Sequence, residues 1–236
     1  MKLIWIGCLA AACVMALAPQ VVTAAGGIYI EDLTVTNDGR VVFSDNFDDG
    51  SISDWEAVRD ATVELQQTKP PNGVLHVNRQ GDICCCAYHK VSIPRPGVVE
   101  LSAWVFLPSV EEQSCYKTSA SSFTGLSILS GSTDDSVAVD VELRPKEKGY
   151  RVQIHANTYE TGKPCQAERR STSSVVLTPG KWARLSLKMV FDGGSAFASL
   201  DGKELLSMSF LLEHYAPIKQ AAIWGWLGDK PRSSDK

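Results

Sequence analysis

Polar side chains that could bind a ligand or transfer a proton alternate with other residues along three stretches of the chain. These side chains belong to Asp140, Glu142, Arg144, Arg151, Gln153, His155, Arg184 and Lys188. Histidine and carboxylates act as acids and bases, while arginine and glutamine donate hydrogen bonds to ligand oxygens. Residues two apart on a strand share one face of a sheet. We therefore expect one polar face that carries all eight side chains.

This polar face has two chemical interpretations and one that involves no ligand. An enzyme would use His155, Gln153, Tyr150 and Glu142 around the reacting atoms. A binding module would instead use Arg144, Arg151, Gln153 and His155 as hydrogen-bonding groups and would need no acid or base. The third interpretation is a solvated face on which opposite charges pair across strands.

The tryptophans divide into two groups by their surroundings in the sequence. Trp224 and Trp226 are two residues apart, so on a strand both indoles share one face and could form a platform for a ligand. The isolated residues Trp55, Trp104 and Trp182 are expected to pack in the core.

Five cysteines remain once the first 25 residues are set aside, namely Cys84, Cys85, Cys86, Cys115 and Cys165. In an exported protein such cysteines are disulfide candidates, and their odd number leaves at least one thiol unpaired. Members of the triplet at 84–86 could pair with Cys115 and Cys165. The absence of paired C-x-x-C spacing argues against a metal–thiolate cluster.

The N-terminal segment predicts export. Residues 1–25 contain one basic residue, Lys2, then a long apolar run and small residues near position 24, as in a secretory signal peptide. Nothing later in the sequence is apolar enough to span a membrane. Removing Lys2 with the signal changes the formal net charge from −4 to −5. An acidic protein of this kind lacks the basic surface that nucleic-acid binding requires.

The elements that must position these residues are strands. Apolar and polar residues alternate repeatedly, for example over 137–144, 150–157 and 183–191, and Gly, Pro and Asp turns separate the runs. The runs at 137–144 and 150–157 form a predicted hairpin. Further strands are expected at 28–35, 41–45, 61–66, 73–78, 84–93, 97–107, 123–129 and 219–226, with irregular loops at 108–122 and 157–172. About a dozen such strands predict one two-sheet antiparallel sandwich over residues 26–228, followed by a polar tail at 229–236.

Two segments resemble the concanavalin A-like, laminin-G-like jelly-roll superfamily of secreted domains. Residues 42–50 (VFSDNFDDG), followed by Trp55, are similar to the F-x-D-x-F…W opening of these domains. Residues 180–185 (GKWARL) and 197–203 (FASLDGK) are similar to their closing G-x-W-x-x-L…DG meander. Residues 27–35 (GIYIEDLTV) resemble the strand that usually comes last, yet here they come first. This order indicates either a circular permutation or an ordinary first strand.

The resemblance implies a polysaccharide or glycan as ligand and a structural calcium ion near the first and last strands. Asp32 and Asp45 are the residues that the permuted order would bring together for that ion. The alternative for this acidic region is turn chemistry around residues 48–50. No other cofactor is expected.

The catalytic motifs of this superfamily are incomplete here. Residues 153–155 (QIH) match the Q-I-H strand of jelly-roll alginate lyases, but the R-x-E-x-R and Y-F-K-A-G-x-Y-N-Q strands are missing. Asp140 and Glu142 approach the E-x-D-x-E strand of the glucanases, but Ala138 stands where a third carboxylate is needed. The sequence therefore favours a secreted, non-catalytic glycan-binding module. A polysaccharide-active enzyme and a cell-surface protein-interaction domain are the alternatives.

Overall fold

The computed structural model describes residues 28–58, 61–69, 72–79, 85–107, 123–130, 136–146, 149–159, 166–209 and 216–226. Fifteen strands lie within these ranges: β1 (Ile28–Asn37), β2 (Arg40–Asp45), β3 (Glu56–Val58), β4 (Ala61–Lys69), β5 (Asn72–Arg79), β6 (Cys85–Ile93), β7 (Val98–Phe106), β8 (Phe123–Leu129), β9 (Ser136–Lys146), β10 (Gly149–Tyr159), β11 (Gln166–Leu177), β12 (Trp182–Val190), β13 (Ser195–Leu200), β14 (Lys203–Ser209) and β15 (Ile218–Trp226). The expected signal peptide and polar tail lie outside the described residues.

The strands form two antiparallel sheets. Sheet A has the order β14-β13-β12-β7-β1-β5-β4, with β2 paired to β1, and sheet B has the order β11-β10-β9-β8-β15-β6-β3. This all-β sandwich of two antiparallel sheets is the fold class that the alternating sequence pattern predicts. None of the described residues forms a helix that is long and apolar enough to cross a membrane.

The predicted hairpin is confirmed with its register. Lys146 pairs with Gly149, and the ladder continues through Val141 opposite Ile154 to Ser136 opposite Tyr159. Because directly opposed residues point to the same face, the apolar residues of both strands enter the core together.

The core lies between the sheets and draws on both. Leu101 and Leu187 of sheet A, and Val141 and Ile154 of sheet B, are fully buried in one hydrophobic cluster. Each buried aliphatic side chain contributes about 1.5–3 kcal/mol relative to an exposed one. The strand period then directs every second side chain to an outer face of its sheet.

Strand β1 is shared between three neighbours. It pairs with β7 along one edge, while β5 and β2 divide the other edge between them. Asp32, at a positive φ of 50°, lies where the ladder to β7 shifts register. The pairing of β1 with β2 is what the permutation hypothesis requires, and an ordinary hairpin gives the same pairing.

The irregular loop predicted at 157–172 is wrong for the residues that the structure describes there, and the loop predicted at 108–122 lies outside the described residues. Strand β10 continues to Tyr159, and β11 begins at Gln166, with Ala156 opposite Arg169 and Ile154 opposite Ser171. The sequence of β11 begins QAERRSTSS and lacks an apolar alternation, because β11 lies at the edge of sheet B in the strand order. The short strand β3 was likewise not expected.

The tryptophans do not all pack in the core. Trp55 is buried, as predicted, but Trp104 and Trp182 are 36% and 37% exposed. Both residues share their side of the strand with polar neighbours, so they belong to the outer face of sheet A. Their partners in register are Arg184 and Phe106, respectively. Arg184 and Lys188 lie on the same side of β12 as Trp182, in sheet A. The prediction that they share one polar face with the side chains of β9 and β10 is therefore wrong, because β9 and β10 belong to sheet B.

The loop that follows β2 docks onto β5 through a glycine. Asp48 Oδ1 accepts a hydrogen bond of 3.0 Å from the Gly73 backbone N–H. A Cβ atom at Gly73 would lie 1.8 Å from the Phe47 carbonyl oxygen. Since backbone atoms cannot yield as a flexible side chain can, this contact requires glycine.

We expect Gly73→Ala to lower the free energy of unfolding by roughly 2 kcal/mol or more, because the loop must move away from β5. Gly39→Ala is the control: Gly39 has a φ of +75° but open space around its Cβ position, so only the backbone penalty of about 1–2 kcal/mol applies. Urea denaturation of both variants measures the difference, and equal losses would contradict the steric explanation.

Candidate functional site

The outer face of sheet B is polar, yet its centre is buried. Ser127, Asp140, Gln153 and His155 are each at most 2% exposed. Their strand neighbours, such as Val141 and Ile154, belong to the hydrophobic core, so these four polar side chains point away from it. We refer to these four residues as the buried polar row.

Strand register brings the buried polar row together. His155 lies opposite Asp140, and Asp140 lies opposite Ser127 on the next strand. The Ser127 hydroxyl donates a hydrogen bond to Asp140 Oδ1. His155 Nε2 lies 2.9 Å from Gln153 Oε1, and because the amide oxygen accepts, the imidazole carries its proton on Nε2. Each member therefore has a polar partner, as burial requires.

Arg151, two residues before Gln153 on β10, differs from the buried polar row. Its side chain is partly exposed, and its Nε is a buried atom for which no hydrogen-bond partner lies among the described residues. Its register partner on β9 is Arg144. Two cationic residues thus occupy directly opposed positions, an arrangement that is unfavourable without an acceptor or an anion.

A second buried polar atom on this face lacks a partner. Gln220 Oε1 on β15 accepts no hydrogen bond from any residue within the described ranges. Its register partners are Leu129 and Lys90. Among the described residues, the face therefore holds a donor at β10 and an acceptor at β15 that have no hydrogen-bond partner.

The backbone places Trp224 within the same face. Trp224 lies opposite Gly125 on one side and Cys86 on the other, and Gly125 in turn lies opposite Glu142. Since Glu142 lies opposite Gln153, one row across the sheet runs from Gln153 to Cys86. Trp226 lies opposite Phe123. The side chains of Trp224, Trp226, Glu142 and Arg144 lie outside the description.

The β6 side of this face is open to solvent. Glu56 accepts hydrogen bonds from the Tyr88 hydroxyl and, at 2.6 Å, from Lys90 Nζ. The Lys90 bond and then the Tyr88 bond lower the pKa of Glu56, so its carboxylate stays ionised. Sequence reasoning named Tyr88 as a candidate aromatic for stacking on a sugar but missed Gln220 and Ser127, although the alternation in their strands marks which side of each strand they occupy.

Tyr150 does not belong to this face. It is fully buried in the hydrophobic core, on the side of β10 opposite His155 and Gln153. The strand alternation that puts 151, 153 and 155 together necessarily excludes 150, so Tyr150 is removed from the set of candidate catalytic groups.

Among the cysteines, Cys84, Cys115 and Cys165 lie outside the described residues, and Cys85 and Cys86 are described only as backbone of β6. The disulfide expectation stays a prediction.

Asp45 has a structural role at the end of β2. Its Oδ1 accepts the Phe47 backbone N–H and its Oδ2 accepts the indole N–H of Trp55, both at 2.8 Å. Asp32 is exposed. Within the described ranges, no three His, Cys, Asp or Glu side chains come close enough to hold a metal ion. Calcium binding by Asp32 and Asp45 stays a prediction.

His89 lies at the corner where the loop after β2 meets β6. Its ring stacks on Phe43, with centroids 3.7 Å apart, and packs against Trp55 at 5.9 Å. Its Nδ1 is buried and has no hydrogen-bond partner in the described part of the chain. Burial lowers the pKa of His89 below 6.5, although Asp54 and Asp45 oppose this effect.

This chain is similar to known proteins in structure but not in sequence. No protein-family model and no curated protein matches the sequence. A legume lectin-like domain from Entamoeba histolytica is similar at 10% identity, covering 76% of this chain and 84% of that chain, with a TM-score of 0.48. An endo-glucanase of glycoside hydrolase family 16 from Bacteroides ovatus is similar at 10% identity, 79% and 86% coverage and a TM-score of 0.47.

A β-glucanase from Bacillus licheniformis gives 10% identity, 76% and 81% coverage and a TM-score of 0.41. At such identities and TM-scores the likeness assigns neither a site nor an activity.

We expect acid to destabilise the protein partly through His89. The unfolded state takes up a proton near pH 6.5, whereas the folded state resists it because its pKa is lower. The contribution of neutral His89 is therefore present above pH 6.5 and is lost as the pH falls through the folded pKa. His89→Phe retains a ring against Phe43 and removes this titration. Its unfolding free energy, measured between pH 5 and pH 8, should fall less steeply with acid than that of the wild type, and parallel curves would contradict this assignment.

Proposed function

We propose that this chain is an exported, non-catalytic binding module for a polysaccharide or other glycan, and that the ligand binds on the outer face of sheet B. The observation that carries this proposal is Arg151, a partly exposed guanidinium with a buried, unpartnered Nε beside the buried polar row. Export rests on the signal-like residues 1–25.

The unpaired groups on this face define what a ligand must supply. A buried donor without an acceptor costs about 1–3 kcal/mol, and a ligand oxygen at Arg151 would recover that cost. At β15, Gln220 Oε1 needs a donor. A sugar offers both, because each hydroxyl group donates and accepts. The hydroxyl groups of a glycan would therefore supply both the acceptor that Arg151 on β10 lacks and the donor that Gln220 on β15 lacks.

The buried polar row supports this site from beneath. Its members are at most 2% exposed and are already hydrogen-bonded to one another. Gln153 and His155 are hydrogen-bonded to each other on β10, the strand that carries Arg151. In this proposal they support Arg151 and do not contact the ligand, whereas the sequence analysis expected them to contact it. Groups positioned by such a network need little rearrangement on binding.

A polysaccharide-active enzyme is the second candidate, because His155 and Asp140 are directly opposed on neighbouring strands. A histidine beside a carboxylate is a common acid–base arrangement. Two observations favour binding over catalysis. The imidazole is only 2% exposed, and Tyr150 lies on the opposite face of β10.

We expect Arg151→Ala to weaken glycan binding about tenfold or more, the loss typical of removing a charged hydrogen-bond donor. A glycan array identifies a ligand, and affinity electrophoresis in that polysaccharide then gives the dissociation constants. Arg151→Lys should retain part of the binding. Lys188→Ala, an exposed cation on sheet A, is the control and should leave the retardation unchanged.

The same samples separate the two functions. A binding module leaves the polysaccharide intact, so neither new reducing ends nor unsaturated products should form. Product formation that His155→Ala abolishes would establish the enzyme. Equal binding by the wild type and Arg151→Ala would remove this face as the binding site.

A further inference from the structure

The outer face of sheet A carries two exposed indoles on neighbouring strands. Trp104 of β7 and Trp182 of β12 are 36% and 37% exposed. In register, Trp104 opposes Arg184 and Trp182 opposes Phe106, so the two tryptophans are diagonal neighbours on one face. Diagonal neighbours in a sheet are about 7–8 Å apart, within reach of the same small ligand.

A chain of ring contacts holds Trp182 in place. Its ring packs against Phe106 at 5.5 Å, and Phe106 meets Tyr29 edge to face at 5.8 Å. Tyr29 in turn stacks on His76 at 4.2 Å with the planes 7° apart. Tyr29 and His76 are 1% and 4% exposed, so the chain of rings ends in buried groups. Four rings on four adjacent strands thus fix the orientation of the exposed indole.

Trp104 is paired with a guanidinium. Arg184 Cζ lies 6.0 Å from the centre of the Trp104 ring, and Nη2 donates a hydrogen bond of 2.9 Å to Ser102 Oγ. No carboxylate within the described ranges forms an ion pair with Arg184. A guanidinium has five N–H donors, so Arg184 retains donors for a ligand beside the indole.

The apolar surface here is small. In the described part of the chain, the only other exposed large hydrophobic residues are Val41 and Val42, which belong to β2. Exposed Lys188 lies opposite Glu100, four residues along these strands from Arg184 and Trp104, so the face becomes charged at a distance from the indoles. Stable protein interfaces bury about 800 Å² on each partner around an apolar centre, and two indoles do not provide that. A flat ligand of one or two rings fits the area.

We propose that Trp104, Trp182 and Arg184 form a second saccharide-binding site, on the outer face of sheet A. One face of a pyranose ring is lined by C–H groups and would stack on an indole, while its hydroxyl oxygens accept from Arg184. Rigid aromatic rings with a few placed polar groups are the usual composition of such small-ligand sites. This site lies on the opposite side of the sandwich from Arg151 and does not depend on the function proposed for sheet B.

Tryptophan fluorescence and affinity measurements with a panel of neutral and uronate-containing hexasaccharides test this site. We expect Trp104→Ala and Trp182→Ala each to weaken binding about tenfold and to remove part of the fluorescence change. Trp104→Phe and Trp182→Phe should restore much of the affinity, because a stacking ring remains. Lys188→Ala, on the same strand and face as Trp182, is the matched control. A thermal melt confirms that each variant is folded.

The results distinguish this site from the one on sheet B. If the tryptophan variants lose binding and Arg151→Ala does not, the sheet A site stands and the sheet B proposal fails. If Arg151→Ala abolishes all binding while the tryptophan variants match the wild type, the sheet A site is overturned. Losses in both sets establish two sites. The sheet A site is also overturned if the wild type binds no hexasaccharide, or if the indoles bind a protein instead of a saccharide.

Discussion

The structure depends on one constraint: each strand has two faces, and only one of them can enter the core that the sheets share. Burial of residues such as Leu101 and Val141 settles which face that is. Every remaining side chain is then assigned to an outer face. On sheet B this assignment gathers polar groups, and on sheet A it gathers aromatic rings. Both candidate sites are consequences of how the core is filled.

The two outer faces use opposite physical means to hold their side chains. On sheet B, hydrogen bonds between Ser127 and Asp140 and between His155 and Gln153 satisfy groups that water does not reach. On sheet A, ring stacking from His76 to Phe106 orients an indole that solvent does reach. In each case buried groups fix the geometry, and a partly exposed neighbour, Arg151 or Trp182, lies beside them.

The corner after β2 is held in place by the carboxylate of Asp45. Asp45 follows a strand, precedes a turn and resembles a ligand residue in the sequence. In the fold it receives the Phe47 amide and the Trp55 indole, so it connects the loop to the core. Trp55 also contacts His89, a partly buried imidazole whose pKa is lowered by burial, so we expect this corner to be sensitive to acid.

Sequence alternation alone determined a large part of the fold. It predicted most of the strands, the hairpin of β9 and β10, and the shared face of Arg151, Gln153 and His155. These are local properties, because a period of two residues fixes the side to which each side chain points. The edge strand β11 escaped prediction, since its sequence lacks an apolar alternation that would reveal strand structure.

Only the tertiary structure decided which residues the side chains on each sheet face contact, and whether solvent reaches them. From the sequence we expected Trp104 and Trp182 in the core, because indoles are usually buried. However, each lies two residues from a polar residue, Ser102 and Arg184 respectively, and this spacing already placed both indoles on the polar side of their strands. The sequence could not show that His155 opposes Asp140, or that Phe106 supports Trp182. Those contacts join residues from different strands, and only strand order and register determine them. Local periodicity therefore set the side of each residue, and packing between distant segments set its exposure and its partners.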